Sequence, residues 1–400
     1  MDLQDTAQEA EYRAKVRAWI EAHRHEAPPP RGGVHAVEPG PYRRWQAKLA
    51  SARLVGVTWP EEHGGAGLGL VEQLIVSAEL RRAGCAGILD NIAIGIIGPT
   101  IIARGTEEQK RRYLGPMLRA EEGWCQMFSE PDAGSDLAGL RTRARRGRCG
   151  FSINGQKVWT TGAQHADFGL LLARTDPDVP KHKGLTMFLV PMHATGVTVR
   201  PLRGISGAAS FNEVFFEDVF VDRDAVLGSV DGGWDIALTA LMFERATLMA
   251  TFDEVGFSAE QFAAPIADHP AGADAHVRQR LAEVTCGLLS LRYSAYRTLT
   301  ALSHGAVPGP EAALGKIGVI EAARQGCELI AEVLGPDALE GEWGETTCEM
   351  PGLRSGGGTE EVLRNTLGER ILGLPPEPRT DKNVPYSELV RPLARAEVPA

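Results

Sequence analysis

The chain has 400 residues, with 42 Lys and Arg against 52 Asp and Glu, a formal charge of −10. That length suggests two or three domains with sizeable cores, and a composition 43% hydrophobic, 24% charged and 6% aromatic excludes a disordered or fibrous chain. The acidic balance argues against nonspecific binding to nucleic acid or an anionic membrane, yet leaves room for a local pocket that takes a phosphorylated ligand.

The N-terminus, Met1-Asp2-Leu3-Gln4-Asp5, is acidic and lacks an apolar leader, so a cytoplasmic protein is expected. The six cysteines, Cys85, Cys125, Cys149, Cys286, Cys327 and Cys348, form no CxxC pair and are expected to stay reduced. The apolar stretch Ile92–Ile102 is too short to span a bilayer and is broken by Gly95, Gly98 and Pro99.

Three textures follow one another. Residues 1–122 read as helical, interrupted at Ala27–Gly33 and Trp59–Gly69. From 123 to 228 the period shortens. Phe151–Trp159 predicts two strands around an Asn154-Gly155 turn, and Gly169–Arg174, Leu185–Pro191, Val197–Leu202 and Asn212–Val221 continue as short strands. Residues 229–375 return to helical periods, one through Val277, Leu281, Val284, Leu288, Ala295, Leu299 and Leu302, another through Ala313, Ile317, Ile320, Cys327, Ile330 and Leu334. A β module between two helical blocks is the architecture. The tail 376–400 reads as extended and solvated, with packing across a neighbouring surface as the alternative.

Several motifs dissolve on inspection. Gly309–Lys316 is one residue too long for a P-loop, and Ile317 replaces the Ser or Thr that would hold magnesium; it reads as a helix start. Gly64–Gly69 lacks the dinucleotide register and a preceding strand. His165, His182 and His193 lack ligand-like spacing, and surface or turn positions are expected for them.

Two features resist a bland explanation. Trp124–Asp136 leads an apolar strand into a turn crowded with Glu, Asp, Ser and Gly, which suits a structural turn and a ligand loop equally well. The helix predicted over Trp234–Phe252 is apolar nearly all round and should be buried. Glu244 lies three residues after Leu241 and four before Leu248, on a face with both. A buried carboxylate is costly unless paired or used; a structural ion pair and a functional base both remain open.

Phe128-Ser129-Glu130-Pro131-Asp132-Ala133-Gly134-Ser135-Asp136 resembles the first signature of the acyl-CoA dehydrogenase family, and Ile153–Thr161 resembles its next landmark at the expected spacing. Trp59–Gly65, Phe215–Val219 and Gly357–Asn365 fit as well, so the resemblance covers nearly the whole chain. It implies an α+β multidomain fold: an N-terminal α-helical domain, a central β-barrel or β-sandwich domain and a C-terminal four-helix bundle.

The resemblance also implies FAD between the β module and the C-terminal helices. The Phe128 backbone and Ser129 hydroxyl would face the flavin pyrimidine edge, Trp159 would lie against the rings, and Thr161 would bond near N5. Gln126, Thr359 and Glu361 would join them as cofactor residues; Ser135, Arg245 and Gly357 would serve the substrate. The implied reaction is α,β-dehydrogenation of an acyl-CoA or acyl-carrier-protein thioester, with the α-proton taken by a carboxylate and the β-hydride going to N5.

Two departures sharpen this expectation. Many members carry the base just before a C-terminal Gly-Thr; here that place is Gly357, which has no side chain to act. A smaller set carries it as a Glu-Arg pair on the first helix after the β module, where Glu244-Arg245 stands. The second departure is the absence of Arg from Val255–Ala275, where homotetrameric members reach a neighbour's FAD. His276–Leu281 and Pro308–Ala312 instead resemble a sterol side-chain branch built as heterotetramers. A dimer or a homo- or heterotetramer is expected, the last with a second, non-identical subunit, and an electron-transfer flavoprotein as acceptor. A flavin monooxygenase or N-hydroxylase, and a non-catalytic acyl-CoA-binding subunit, are the alternatives; Glu244 argues against the hydroxylase, which needs no α-proton base.

Overall fold

The structure, a computed structural model, describes residues 5–30, 39–250, 257–303, 309–310 and 313–390; for 245–250, 299 and 301–303 only the backbone is described. Outside it fall the side chains of Arg245, Leu248, Met249, Leu299 and Leu302, all of Phe252, and Val255 and Gly256 at the head of the Arg-free stretch. Residues 1–4, 31–33, 308, 311–312 and 391–400 also lie outside.

Among the described residues, five α-helices make the first layer: α1 (Ala7–His23), α2 (Pro39–Ser51), α3 (Leu70–Arg82), α4 (Gly98–Arg104) and α5 (Glu107–Leu118). Thr6 and Thr106 start α1 and α5 with reciprocal capping boxes through Glu9 and Gln109. The break at Trp59–Gly69 is a loop folded over its own tryptophan. The Trp59 indole donates to the Ile94 carbonyl at 3.1 Å, and a Cβ on Gly98 would stand 2.1 Å from the ring. Before α4 the chain makes a π-helical turn, Ala93–Ile97. Asp90 ties that turn to the next layer, its carboxylate accepting from Ala93 N–H and Trp124 N–H, each at 2.9 Å.

The central layer holds β1 (Trp124–Met127), β2 (Arg143–Arg146), β3 (Gly150–Thr161), β4 (Phe168–Arg174), β5 (Leu185–Pro191), β6 (Val197–Leu202), β7 (Phe211–Asp222) and β8 (Val226–Leu227). They form one sheet in the order β6-β7-β3-β2-β4-β5-β8, with β1 parallel to β4. Alternation along β4 serves two cores: Leu170 and Leu172 pack with the helices, Leu171 and Ala173 with the interior of the β layer.

The Asn-Gly hairpin is corrected. β3 is one continuous strand, because both halves pair with the equally long β7. The register shifts between Ile153 and Gly155, where Asn154 alone faces Glu217 and Asp218, so the extra residue lies on β7, at whose Asp218 φ is +48°. Asn154 bonds across to Asp218 at 2.8 and 3.0 Å rather than turning the chain back.

Helix α6 (Gly233–Ala250) follows and packs Ile236, Ala237 and Ala240 into the core of the first layer, and α7 (Ala259–Ala267), α8 (Ala275–Ser303), α9 (Ala313–Leu334), α10 (Gly341–Leu353) and α11 (Glu360–Arg370) make the third layer, around Phe262, Val284, Leu288, Ile320, Ala323, Cys327 and Ile330. Lys316 of the rejected P-loop lies within α9. Helix α6 also departs from expectation. Ile236, Ala237 and Ala240 are buried, but Leu238 and Met242 are 48% and 46% exposed, so one apolar flank faces outward.

The described part of the tail is exposed over residues 376–380, as expected, and then packs on the protein. Its short helix α12 (Tyr386–Leu389) docks on the β layer, where Tyr386 is buried under the Arg174 guanidinium, 3.6 Å from its ring centroid. The Tyr386 hydroxyl donates to the Gly139 carbonyl at 3.1 Å. Lys181 bridges Asp381 of the tail to Asp136 of the signature loop. Among the described residues no helix is long and apolar enough to cross a membrane.

Glu79 of α3 couples the outer helices. Its buried carboxylate accepts two bonds from Arg17 of α1 at 2.8 Å and one from Arg82 at 2.8 Å. The Arg17 hydrogen bonds outweigh burial and hold Glu79 down at about 2, from an ordinary 4.5. A depressed carboxyl stabilises the fold fully above its unfolded value and loses that contribution as pH falls through the folded one. Glu79→Gln should therefore lower the denaturant midpoint at pH 7, and the gap to the parent should close between pH 4.5 and about 2. A constant gap across that window would assign the acid response to other carboxylates.

Candidate active site

The site begins with a lysine inside the sheet. Lys157 shares the inward parity of Phe151 and Ile153 on β3 and is fully buried. Its Nζ donates to Glu130 Oε1 at 2.9 Å and to the Phe128 carbonyl at 2.8 Å. Glu130 also accepts from Arg141 N–H at 2.6 Å and Thr142 N–H at 2.9 Å. Burial opposes charge on Glu130, but Lys157 and these donors outweigh it and hold the carboxyl below the usual range. Burial pulls the Lys157 ammonium down, against the charge and hydrogen bond of Glu130.

This pair clamps Phe128-Ser129-Glu130 onto β3. Val158 N–H donates to the Ser129 carbonyl at 2.9 Å, in the residue before Trp159. Trp159 then takes a left-handed φ of +58°, a conformation an aromatic residue adopts only under constraint. Its ring projects outward, 62% exposed, with Phe211 edge-on at 5.8 Å. An indole held out in this way is not a core aromatic. Thr161 ends β3 on the exposed side, opposite Phe211, while the neighbouring Thr160 is buried.

Glu244 enters from α6. Its half-buried Oε2 accepts from Gln126 Nε2 of β1 at 3.3 Å, joining the β layer to the C-terminal helices. The Gln126 carbonyl oxygen is buried and has no partner among the described residues. Opposite, Gly357 and Gly358 take φ of +66° and +92° just before α11, and Thr359 caps that helix by accepting from Val362 N–H. Glu361 is exposed in its first turn. Ser135 is exposed on the signature loop, apart from this cluster and beside the Asp136–Lys181 contact.

An unpartnered buried amide oxygen, an outward indole and a capped helix N-terminus behind a glycine turn are polar and planar contacts suited to a flavin with its diphosphate. These residues fit FAD. Sequence reasoning missed the clamp, although a lysine on the inward parity of a strand was a readable signal.

Three stretches match family descriptions: "Acyl-CoA dehydrogenase, N-terminal domain" over residues 6–121, "middle domain" over 125–219 and "C-terminal domain" over 231–372. The chain belongs to the acyl-CoA dehydrogenase family. It is an FAD-dependent acyl-CoA dehydrogenase. It is similar to "Acyl-CoA dehydrogenase IpdE1" of Mycobacterium tuberculosis, 36% identical over 92% of this chain and 98% of that protein. Among solved structures it is similar to the "Tcur3481-Tcur3483 steroid ACAD", with a TM-score of 0.81 at 30% identity over 94% of this chain and all of that one. It is also similar to the "ChsE4-ChsE5 complex from Mycobacterium tuberculosis", with a TM-score of 0.75 at 28% identity over 94% of this chain and all of that one.

In this acyl-CoA dehydrogenase Lys157→Met leaves Glu130 buried and unpaired, and should cost about 3–5 kcal/mol of unfolding free energy. The double variant Lys157→Met/Glu130→Gln removes both charges and should recover part of that loss. Denaturant titration of the two variants checks the ordering; equal losses would mean the pair is not coupled.

Proposed function

We propose that Glu244 is the base that removes the α-proton of the acyl-CoA. The observation that carries this reading is the Gln126–Glu244 hydrogen bond, which holds a carboxylate at the junction of β1 and α6. Support also comes from Gly357, which has no acidic group to offer at the alternative position. The Gln126 amide orients the carboxylate, and the partly buried setting limits competition from water for the proton.

FAD, when bound, supplies the acceptor for the β-hydrogen and its electron pair. We assign Gln126, Phe128, Ser129, Trp159, Thr161, Thr359 and Glu361 to its binding. Phe128 contributes its N–H, because Lys157 already occupies its carbonyl. Ser135 and Arg245 are assigned to the CoA thioester, and the Gly357 N–H to its carbonyl oxygen. We divide the chain into an N-terminal helical domain at 1–122, a β domain at 123–228, a C-terminal helical domain at 229–375 and a tail at 376–400.

For substrate class we propose an acyl-CoA whose acyl group carries a steroid-type ring system. The likeness to a steroid enzyme supports this. We further propose a hetero-oligomer whose second chain contributes to FAD binding, with an electron-transfer flavoprotein as acceptor. The Arg-free stretch 255–275 and the likeness to two-component complexes support the second chain.

Glu244→Gln should keep its FAD and lose flavin bleaching by acyl-CoA under anaerobic conditions, with the reduction rate down by about 10²–10⁴-fold. Full bleaching by that variant removes Glu244 from the role. Expressed alone, the chain should retain FAD weakly; a yellow homo-oligomer with one tightly bound FAD per subunit would overturn the partner requirement.

A further inference from the structure

Lys316 is used by nothing described so far. It stands near the start of α9, four residues before Ile320 and seven before Ala323, in line with the stripe that this helix buries. A lysine there is costly unless its ammonium is engaged. Its Nζ donates to the carbonyls of Gly356 and Gly358. Burial pulls its pKa down, while Glu244 of α6 and Glu360 of α11 pull it back. Glu360 is itself engaged by Arg354 at 3.0 Å and Arg364 at 2.9 Å.

The two captured carbonyls flank Gly357. The described peptide bonds are all trans, and in a trans unit the C=O and N–H point in opposite directions. The Gly356 carbonyl shares its unit with Gly357 N–H, and the Gly358 carbonyl with Thr359 N–H. One ammonium holding both carbonyls turns both N–H groups away from itself and, by polarising the amides, makes them stronger donors. Neither N–H has an acceptor among the described residues.

We propose that Lys316 is a positioning residue for the thioester: it aims the Gly357 N–H at the carbonyl oxygen of the bound acyl-CoA. Negative charge gathers on that oxygen as the α-proton leaves, so a fixed donor there acts mainly in the transition state. This rests on the assignment of Gly357 to the substrate and is independent of which group takes the proton. It also explains why a lysine interrupts the apolar stripe of α9.

The test uses the FAD-loaded protein, with its partner chain if one is needed, and a saturating 1-13C-labelled α,β-unsaturated thioester made from an acyl-CoA that bleaches its flavin, a ligand the reaction does not consume. Isotope-edited infrared difference spectra read its carbonyl stretch. Binding to the parent should move the band to lower wavenumber, and Lys316→Met should lose most of that displacement. Its kcat should fall about 10- to 100-fold with KM changed less than about threefold. Lys316→Gln, which keeps one amide donor group, should fall between and carries the test if the Met variant does not fold. A full displacement in either folded variant overturns the proposal. No displacement in the parent removes the Gly357 assignment along with it. Glu244→Gln should keep the displacement, so failure of the base assignment registers separately, as retained flavin reduction by that variant.

Discussion

The arrangement of this enzyme depends on one buried ion pair, Lys157 with Glu130. A charged lysine inside a sheet is tolerated only where its donors are matched, and here they meet a carboxylate and a backbone carbonyl of the same turn. The pair thereby fixes the signature turn against β3 and delivers Trp159 outward in a strained conformation. A fully satisfied polar network of this kind rigidifies the segment that it holds.

The second constraint is the seam between layers. Asp90 holds the π-helical turn to β1, and Gln126 on the same strand reaches Glu244 of α6. Helix α9 then contributes Lys316 to the glycine turn before α11. Strand β1 is four residues long, yet it touches the first helical layer as well as α6. A short strand at such a seam transmits position without needing a large core of its own, and the π-helical turn beside it matches the tendency of such turns to occur at functional sites.

Much of this was legible in the sequence. The helical, β and helical textures, the strands of the middle layer and the long helices α8 and α9 follow from period alone, because burial of one face imposes period 2 or 3.6. Glu244 stood out as a carboxylate on an apolar helix. Asn154-Gly155 misled, since a dipeptide that suits a hairpin turn also runs on through a long strand where the partner carries the bulge, and only pairing with β7 distinguishes the two. Lys157 and Lys316 were readable as charges on buried stripes, but their partners lie 27 and 40 or more residues away.

By itself, then, the sequence determined the order of layers, the family and the residue types at the site, all of which reside in local period and contiguous motifs. Tertiary structure decided which groups meet: Gln126 with Glu244, Lys157 with Glu130, Lys316 with the turn around Gly357, and the tail with Arg174. Such pairings depend on how distant elements pack, and a polar group's partner is selected by distance and desolvation at the packed interface, which no local pattern encodes.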